Sequence, residues 1–225
     1  MLSTNLEVRD FSIVVVADNQ NPSILNPDFL KYNQIVPRDW ELAMPPICTP
    51  PISQVVFKNG VNIVAQSDRV SFWEALDPEH LVFQVPDISS KYIEIVPSVD
   101  YRAVGININA HIVAEKKEDN QDTVLTKVIA AGKWKNFQGK SPNAVVQFMY
   151  QLDNTNLTIA IQEVVFQQQL PQNQLVPVVN FSANFHRELV NSTYPEKIFQ
   201  IKNIIQSWET DFKTFISFVE EAFLE

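Results

Sequence analysis

The sequence predicts an α+β protein in which an antiparallel sheet is covered by helices. Two local patterns predict it: runs of strand length that alternate apolar and polar residues, and stretches in which apolar residues recur at helical spacing. Because turn signals rather than long crossovers separate the strand runs, neighbouring strands are expected to pair as hairpins. The order β-α-β-β-β-α occurs twice, over residues 1–98 and 99–225, so we expect two pseudo-repeats within one compact unit.

The first half begins with a strand and continues through a proline-rich segment. "FSIVVVA" (Phe11–Ala17) has the composition of a strand, and seven of the 14 prolines lie in residues 22–51. Proline neither donates to a sheet nor continues a helix, so this segment is predicted to be irregular apart from a short helix near Pro27–Tyr32. "SQVVF" and "VNIVAQ" then form a hairpin with a tight turn at Asn59-Gly60. The strand "RVSFWEA" and a helix that stops at Pro97 complete this half.

The second half repeats this order. "YRAVGININAHIV" alternates as a strand, and a short helix is predicted at about residues 120–131. "AVVQFMYQL" and "LTIAIQEVVF" pair across a turn at residues 153–156, and "VVNFSANFHREL" is the last strand. Residues 59–66 align with residues 155–162 at an offset of 96, but few residues are identical. An internal duplication therefore depends on the order of elements.

A long helix is predicted at the end of the chain, at about residues 195–224, after a capping residue at Thr193. Its apolar residues recur three and four positions apart, at Ile198, Ile201, Ile205, Trp208, Phe212, Phe215 and Val219. Such a stripe is buried either on the protein's own sheet or against another chain. Further apolar residues widen it beyond a dimer seam, which favours packing on the sheet.

The strand "YRAVGININ" carries a family resemblance. Tyr101, Gly105 and Asn107 or Asn109 follow a Tyr-x-x-x-Gly-x-x-x-Asn-like pattern, after three strands and a helix. In these features the chain resembles a sporadically distributed bacterial family of uncharacterised proteins. The resemblance implies an architecture and no chemistry, because that family has no established activity.

Composition restricts the class of protein. The chain has 26 acidic and 17 basic residues, and its net charge of −9 opposes unspecific attraction to phosphate backbones. Cys48 is the only cysteine, so no internal disulfide can form and a reducing, cytoplasmic location is expected. The first residues lack the basic start and apolar core of a signal peptide, and no apolar run is long enough to cross a bilayer.

Motifs for catalysis are not recognisable. "FQGKSP" resembles the end of a phosphate-binding loop, but Trp134 stands where that motif requires glycine. No serine lies in a Gly-x-Ser-x-Gly turn, and Cys48 lies in the rigid segment "PPICTPP" rather than at a helix N-terminus. His-Glu-x-x-His and Cys-x-x-Cys patterns are missing as well. We therefore expect no enzymatic activity, no cofactor and no metal.

Polar side chains alternate in the same way on two of the predicted strands. They are Asn107, Asn109 and His111 on the first strand, and Ser182, Asn184 and His186 on the second. If the two strands are neighbours, these groups line one uncharged surface that can orient a small polar ligand or, with a carboxylate such as Glu188, hold a metal ion. The alternative is the solvent-facing side of an amphipathic sheet, which uses the same residue types.

Aromatic residues in the proline-rich segment and the last helix predict contact surfaces for a protein partner or for self-association. They are Phe29, Tyr32, Trp40, Trp208, Phe212 and Phe215. A non-enzymatic role in protein–protein interaction or assembly is accordingly the first functional hypothesis, and small-molecule binding by the Asn/His face is the second.

A third hypothesis is binding of single-stranded nucleic acid. Lys133, Lys135 and Lys140 alternate with aromatic residues, among them Trp134, in residues 132–140. Basic groups follow phosphates while aromatic faces stack on bases, so the composition suits a single strand. In a chain of this net charge, an exposed loop whose aromatic residues cap the core is the simpler interpretation.

Overall fold

The computed structural model describes residues 6–96, 99–113, 128–130, 132–140, 142–167, 175–190 and 193–224. Within these ranges nine strands form one antiparallel sheet, in the order β2-β3-β4-β5-β1-β6-β9-β8-β7. The strands are β1 (Leu6–Asp18), β2 (Ile47–Cys48), β3 (Ile52–Val56), β4 (Val61–Gln66), β5 (Arg69–Ala75), β6 (Asp100–Val113), β7 (Val145–Leu152), β8 (Thr155–Gln167) and β9 (Leu175–Glu188). The antiparallel α+β architecture expected from the sequence is confirmed.

The first strand of each half lies at the centre of the sheet. β1 and β6 are hydrogen-bonded neighbours, and each is flanked by the hairpin-connected strands of its own half. Counted toward the centre from β3 and from β7, the halves read β3-β4-β5-β1 and β7-β8-β9-β6, and β2 lies outside β3 at the edge of the first half. The common order agrees with the predicted pseudo-repeat, while the duplication itself stays a prediction. The helix predicted at residues 120–131 lies outside the described residues except for 128–130.

The hairpin between β3 and β4 forms as the Asn-Gly signal predicts. Gly60 has a φ of +91°, a left-handed backbone conformation that residues with a Cβ adopt only at a cost in free energy. Its N–H donates to the Phe57 carbonyl at 3.1 Å, and the Phe57 N–H donates to the Val61 carbonyl at 2.8 Å. The turn is an element of the fold, and its residues are outside the candidate site described below.

The helices pack on one face of the sheet. They are α1 (Pro27–Tyr32), α2 (Val85–Ile95), α3 (Tyr194–Gln206) and α4 (Trp208–Val219). The predicted long terminal helix is interrupted at Ser207, whose hydroxyl donates to the Ile204 carbonyl at 2.8 Å. Ile201, Ile205, Phe215 and Val219 are buried, so the apolar stripe packs on the protein's own sheet. None of the helices in the described ranges is long and apolar enough to cross a bilayer.

The proline-rich segment extends over the covered face and along one edge of the sheet. α1 starts at proline, and the Asn26 side chain accepts the Phe29 N–H at 2.8 Å, as a helix cap does. Leu25, Leu30 and Ile35 are buried in the common core. The segment gains its order from these apolar anchors, and its end reaches β3 as strand β2.

A buried carboxylate caps α2 from the neighbouring strand. Glu74 on β5 is 1% exposed and accepts the backbone N–H groups of Gln84 and Val85 at 3.0–3.1 Å. Negative charge is favourable at a helix N-terminus, where N–H groups have no partner within the helix. This contact fixes the start of α2 against the sheet.

Candidate functional site

Strand alternation sends the apolar side chains of β6 and β9 under the helices and their polar side chains to the opposite face. The two strands are adjacent and antiparallel. Asn107 lies opposite Asn184, and Asn109 lies opposite Ser182. Four of the six residues predicted to form a polar surface therefore face one another directly across two strands.

The two histidines of this surface are far apart. His111 lies opposite Asn180, six residues along β9 from His186, which separates the imidazoles by about 20 Å at the rise of a strand. His111 is buried and its Nε2 is 3.2 Å from the Glu7 carboxylate. Burial lowers the pKa of this imidazole, and the charge of Glu7 opposes that effect. Among the described residues no group of three His, Cys, Asp or Glu side chains is placed to hold a metal ion.

A shallow groove of about 460 Å³ crosses the face of the sheet opposite the described helices α1 to α4, which we call the uncovered face. Its lining comes from six consecutive strands, β5-β1-β6-β9-β8-β7, so it is about 24 Å long at the spacing of strands. The lining residues are Asp10, Ser12, Trp73, Asn107, Asn109, Gln147, Thr158, Ala160, Ser182, Ala183 and Asn184. A groove of this length and depth suits an extended ligand rather than a compact one.

Hydrogen bonds between strands fix the amides on the floor of the groove. The Asn184 amide donates to the Asn107 carbonyl oxygen at 2.7 Å, and the Asn107 amide donates to the Ser12 hydroxyl at 3.2 Å. The Asn109 amide donates to the Asp10 carboxylate at 2.7 Å. An amide has two N–H donors and one carbonyl, so each of these asparagines retains hydrogen-bonding capacity for a ligand. The floor is preorganised, because each amide is held by a neighbouring strand.

Asp10 and Trp73 form the end of the groove on β1 and β5. Burial raises the pKa of the Asp10 carboxyl above its ordinary value, while hydrogen bonds from Asn109 and Trp73 oppose that rise. Trp73 lines the groove beside this carboxyl, and the residue is 37% exposed. An indole with an accessible face is a platform for the apolar side of a ligand.

Asp10 makes a testable contribution to the pH dependence of stability. Its pKa is raised from 3.8 by burial, so the folded state holds the proton more tightly than the unfolded chain. The stability that Asp10 contributes is therefore full below the unfolded-state value and is lost as the pH rises through the folded-state value. We expect the free energy of unfolding of the wild type, relative to Asp10→Asn, to fall as the pH rises above 3.8, the ordinary pKa of this carboxyl.

Urea unfolding at a series of pH values measures this difference. The Asn variant is the matched control, because its amide has the shape of the protonated acid and does not titrate. A difference that stays constant, or that increases with pH, would contradict the raised pKa of Asp10.

Sequence reasoning identified only part of the groove. Asp10 and Trp73 were missed because the sequence does not reveal that β1 lies between β5 and β6. In "RDFSIVVV" and "RVSFWEA" apolar and polar residues alternate, so Asp10 and Trp73 lie on the face of the sheet away from Phe11 and Phe72. This alternation is the only local signal for their position. Gly105 also contributes, since a Cβ there would lie 3.1 Å from the Asn184 amide nitrogen.

The aromatic residues predicted as contact surfaces contribute mostly to the core. Phe29 packs against Tyr92, and Trp40 packs against Phe57. Trp208 and Phe212 are packed against the core, and Phe215 is fully buried. Tyr32 alone of the six is exposed over most of its surface, at 80%. In this conformation Phe215 is buried, and Trp208 and Phe212 are partly buried against the protein's own core.

Residues 132–140 lie away from the groove. Lys133, Trp134 and Lys140 are exposed, and the side chain of Lys135 is outside the described part of the structure. The Trp134 indole donates to the Ala130 carbonyl at 3.1 Å. Single-stranded nucleic acid binding by this loop stays a prediction, and affinity that falls steeply with salt concentration would support it.

A comparison with protein-family models and with curated protein sequences gives no match to this chain. The resemblance carried by Tyr101 and Gly105 stays a prediction.

Proposed function

We propose that the chain is a non-enzymatic binding protein whose uncovered sheet face takes a neutral, hydroxyl-rich ligand, with an extended oligosaccharide as the best chemical match. The observation that carries the proposal is the composition of the groove, which combines fixed amides and hydroxyls with one accessible indole. Hydroxyl groups of a saccharide both donate and accept hydrogen bonds, as amides do. The apolar face of a sugar ring fits against an indole.

Charge supports a neutral ligand. Among the described residues that line the groove, Asp10 is the only one with an ionisable side chain, and none is Lys or Arg. A phosphate or carboxylate ligand would therefore find no counter-charge, and the net charge of −9 would repel it. The Asn109 amide donates to the Asp10 carboxylate at 2.7 Å, so this carboxylate already has a partner within the protein.

The same lining supports binding without catalysis. General acid–base hydrolysis of a glycoside commonly uses two carboxyl groups on opposite sides of the scissile bond. Asp10 has no second carboxyl beside it among the described lining residues, and the Ser and Thr hydroxyls there have no histidine in the lining to act as a base. The groove is accordingly assigned to recognition.

Replacement of Trp73 tests the proposal. Binding of the full chain to an array of neutral oligosaccharides identifies a probe, and the affinity of that probe is then measured by titration calorimetry. We expect Trp73→Ala to weaken binding about tenfold, the effect of a stacking contact of about 1.4 kcal/mol. Trp134→Ala is the matched control, because Trp134 is 40% exposed but lies outside the groove.

Two results would overturn the proposal. One is that no neutral oligosaccharide on the array binds the wild type. The other is that Trp73→Ala and Trp134→Ala weaken binding equally, which would separate the ligand from the groove.

Assembly through protein contacts is the second candidate function. It no longer draws support from the aromatic residues of the last helix, which pack in the core. A different feature favours it, the outer edge of β7, a strand of eight residues without a charged side chain. The proposal of a groove ligand does not depend on it.

We infer a cytoplasmic location from the thiol at Cys48. The residue is exposed, and as the only cysteine of the chain it has no partner for an internal disulfide. Exposed free thiols are stable in a reducing compartment and are oxidised outside it.

A further inference from the structure

We propose that the outer edge of β7 is an interface between two copies of this chain, which pair β7 with β7 in antiparallel fashion across a two-fold axis. The inference goes beyond the groove ligand and does not depend on it. It comes from a difference between the two edges of the sheet, from the composition of β7 and from the aromatic layer beneath it.

The opposite edge of the sheet is protected. The segment that precedes β3 in the sequence covers the outer edge of β3. The Ala43 N–H donates to the Val56 carbonyl at one end of β3, and β2 pairs with β3 nearer its other end. β2 has only two residues, and prolines precede and follow it in the sequence "PPICTPP". Short edge strands and prolines are devices that prevent edge-to-edge pairing.

β7 has none of these devices. Its eight residues, "VVQFMYQL", include no charged residue, no proline and no glycine. Its inner edge pairs with β8, and no residue in the described ranges pairs with its outer edge. Val145, Met149, Tyr150 and Leu152 are between 39% and 78% exposed. A long, uncharged and apolar edge strand is a template for pairing with another strand.

Apolar residues of the core are also partly exposed at this edge. On the covered face, Phe148 and Tyr150 pack against Phe218, with ring centroids 6.3 Å and 5.9 Å apart. Tyr150 and Phe218 are nevertheless incompletely buried. A partner strand at β7 would continue this aromatic layer and remove its apolar surface from water.

A second copy of the chain fits this edge by charge and by symmetry. Two copies carry −9 each, so they associate with least repulsion where the surface is uncharged, as β7 is. A two-fold axis perpendicular to the sheet keeps the faces of the two sheets aligned. Paired residues on neighbouring strands point to the same face, and side chains alternate between the faces along each strand. The two-fold axis therefore has to pass beside the same residue in both copies, and Phe148 and Met149 are the central residues of β7.

Charge placed at Met149 tests the interface. Met149 is 78% exposed on the uncovered face, so Met149→Lys leaves the core of the monomer unchanged. Sedimentation velocity of the full chain is expected to show a dimer for the wild type and a dissociation constant at least about tenfold higher for Met149→Lys, because like charges then meet across the axis. Val82→Lys, at a residue that is 65% exposed and outside β7, is the matched control and should remain dimeric.

Mixing two charge variants distinguishes self-pairing from other partners. Met149→Lys and Met149→Glu should each be monomeric, and their equimolar mixture should recover the dimer, because the opposite charges are then direct neighbours in the register centred on Met149 and diagonal neighbours in the register centred on Phe148. A wild type that is monomeric at concentrations of hundreds of micromolar would overturn the proposal. A dimer that Met149→Lys and Val82→Lys affect equally, or a mixture that stays monomeric, would overturn it as well.

Discussion

Replacement of Asp211 by leucine is expected to lower the free energy of unfolding by about 3–5 kcal/mol, because it leaves Arg187 buried without a counter-charge. Arg187 on β9 donates two hydrogen bonds to the Asp211 carboxylate on α4, at 2.7 Å and 2.8 Å. Their side chains are 8% and 4% exposed. A guanidinium keeps its charge at every accessible pH, so the protein cannot relieve the loss by releasing a proton.

The reverse replacement, Arg187→Met, is expected to cost less, and its cost should decrease toward acid pH. Burial raises the pKa of the Asp211 carboxyl, and Arg187 opposes that rise. Without Arg187 the carboxyl can take up a proton and become neutral. The double variant Arg187→Met/Asp211→Leu removes both charges and should recover most of the stability.

Urea unfolding of the four proteins gives a double-mutant cycle that measures this coupling. The same cycle tests whether α4 is docked on β9, because the bidentate pair forms only when the two elements are in contact. Additive losses in the double variant would contradict a direct ion pair.

Replacement of Phe11 by alanine is expected to lower the free energy of unfolding by about 3–5 kcal/mol, the usual cost of truncating a buried phenylalanine. Phe11 on β1 is fully buried. Its ring packs edge-on against Phe83 and Trp208, with centroids 5.2 Å and 5.7 Å away. Phe83 also packs against Phe212, so the cluster joins the centre of the sheet to α4.

Phe199→Ala is the matched control for this prediction. Phe199 on α3 is 67% exposed, so its truncation should change the free energy of unfolding by at most about 0.5 kcal/mol. Denaturant unfolding followed by circular dichroism compares the two variants. Equal losses would mean that the aromatic cluster does not hold the last helix on the sheet.

Features set by nearby residues were predictable from the sequence. The turn at Asn59-Gly60 depends on a positive φ, and the start of α1 depends on the Asn26 cap and a proline, which are local in the chain. The stripe of the last helix has helical period over many residues, so its burial on the sheet was predicted correctly. The interruption at Ser207 was not predicted. The Ser207 hydroxyl donates to the Ile204 carbonyl, but any serine in a helix can make such a bond, so the residue type alone does not indicate a break.

The groove depends on contacts between distant residues, and for that reason the sequence predicted only its centre. Asn107 and Asn184 were grouped correctly because both strands alternate visibly. Counted in steps of two from Leu6, Asp10 would lie on the covered face. A register shift between Val8 and Asp10 places it on the uncovered face instead. Trp73 reaches the same groove only because β5 pairs with β1.

Residue type also says little about exposure. Phe215 and Tyr32 were both predicted as contact residues, yet the first is fully buried and the second is 80% exposed. Packing decides between them, and packing depends on the whole sheet. The uncharged edge at β7 became visible only when the order of strands showed that nothing described lies beyond it.

The central claim, that the uncovered sheet face holds a neutral saccharide, is tested most directly by nuclear magnetic resonance of the side-chain amides. The wild type is titrated with the neutral oligosaccharide that binds best on the array. We expect saturable shifts of the Asn107, Asn109 and Asn184 side-chain signals and of the Trp73 indole signal, with no change at Asn203 on α3. Saturable shifts confined to residues outside the groove, or no shift at millimolar oligosaccharide, would contradict the claim.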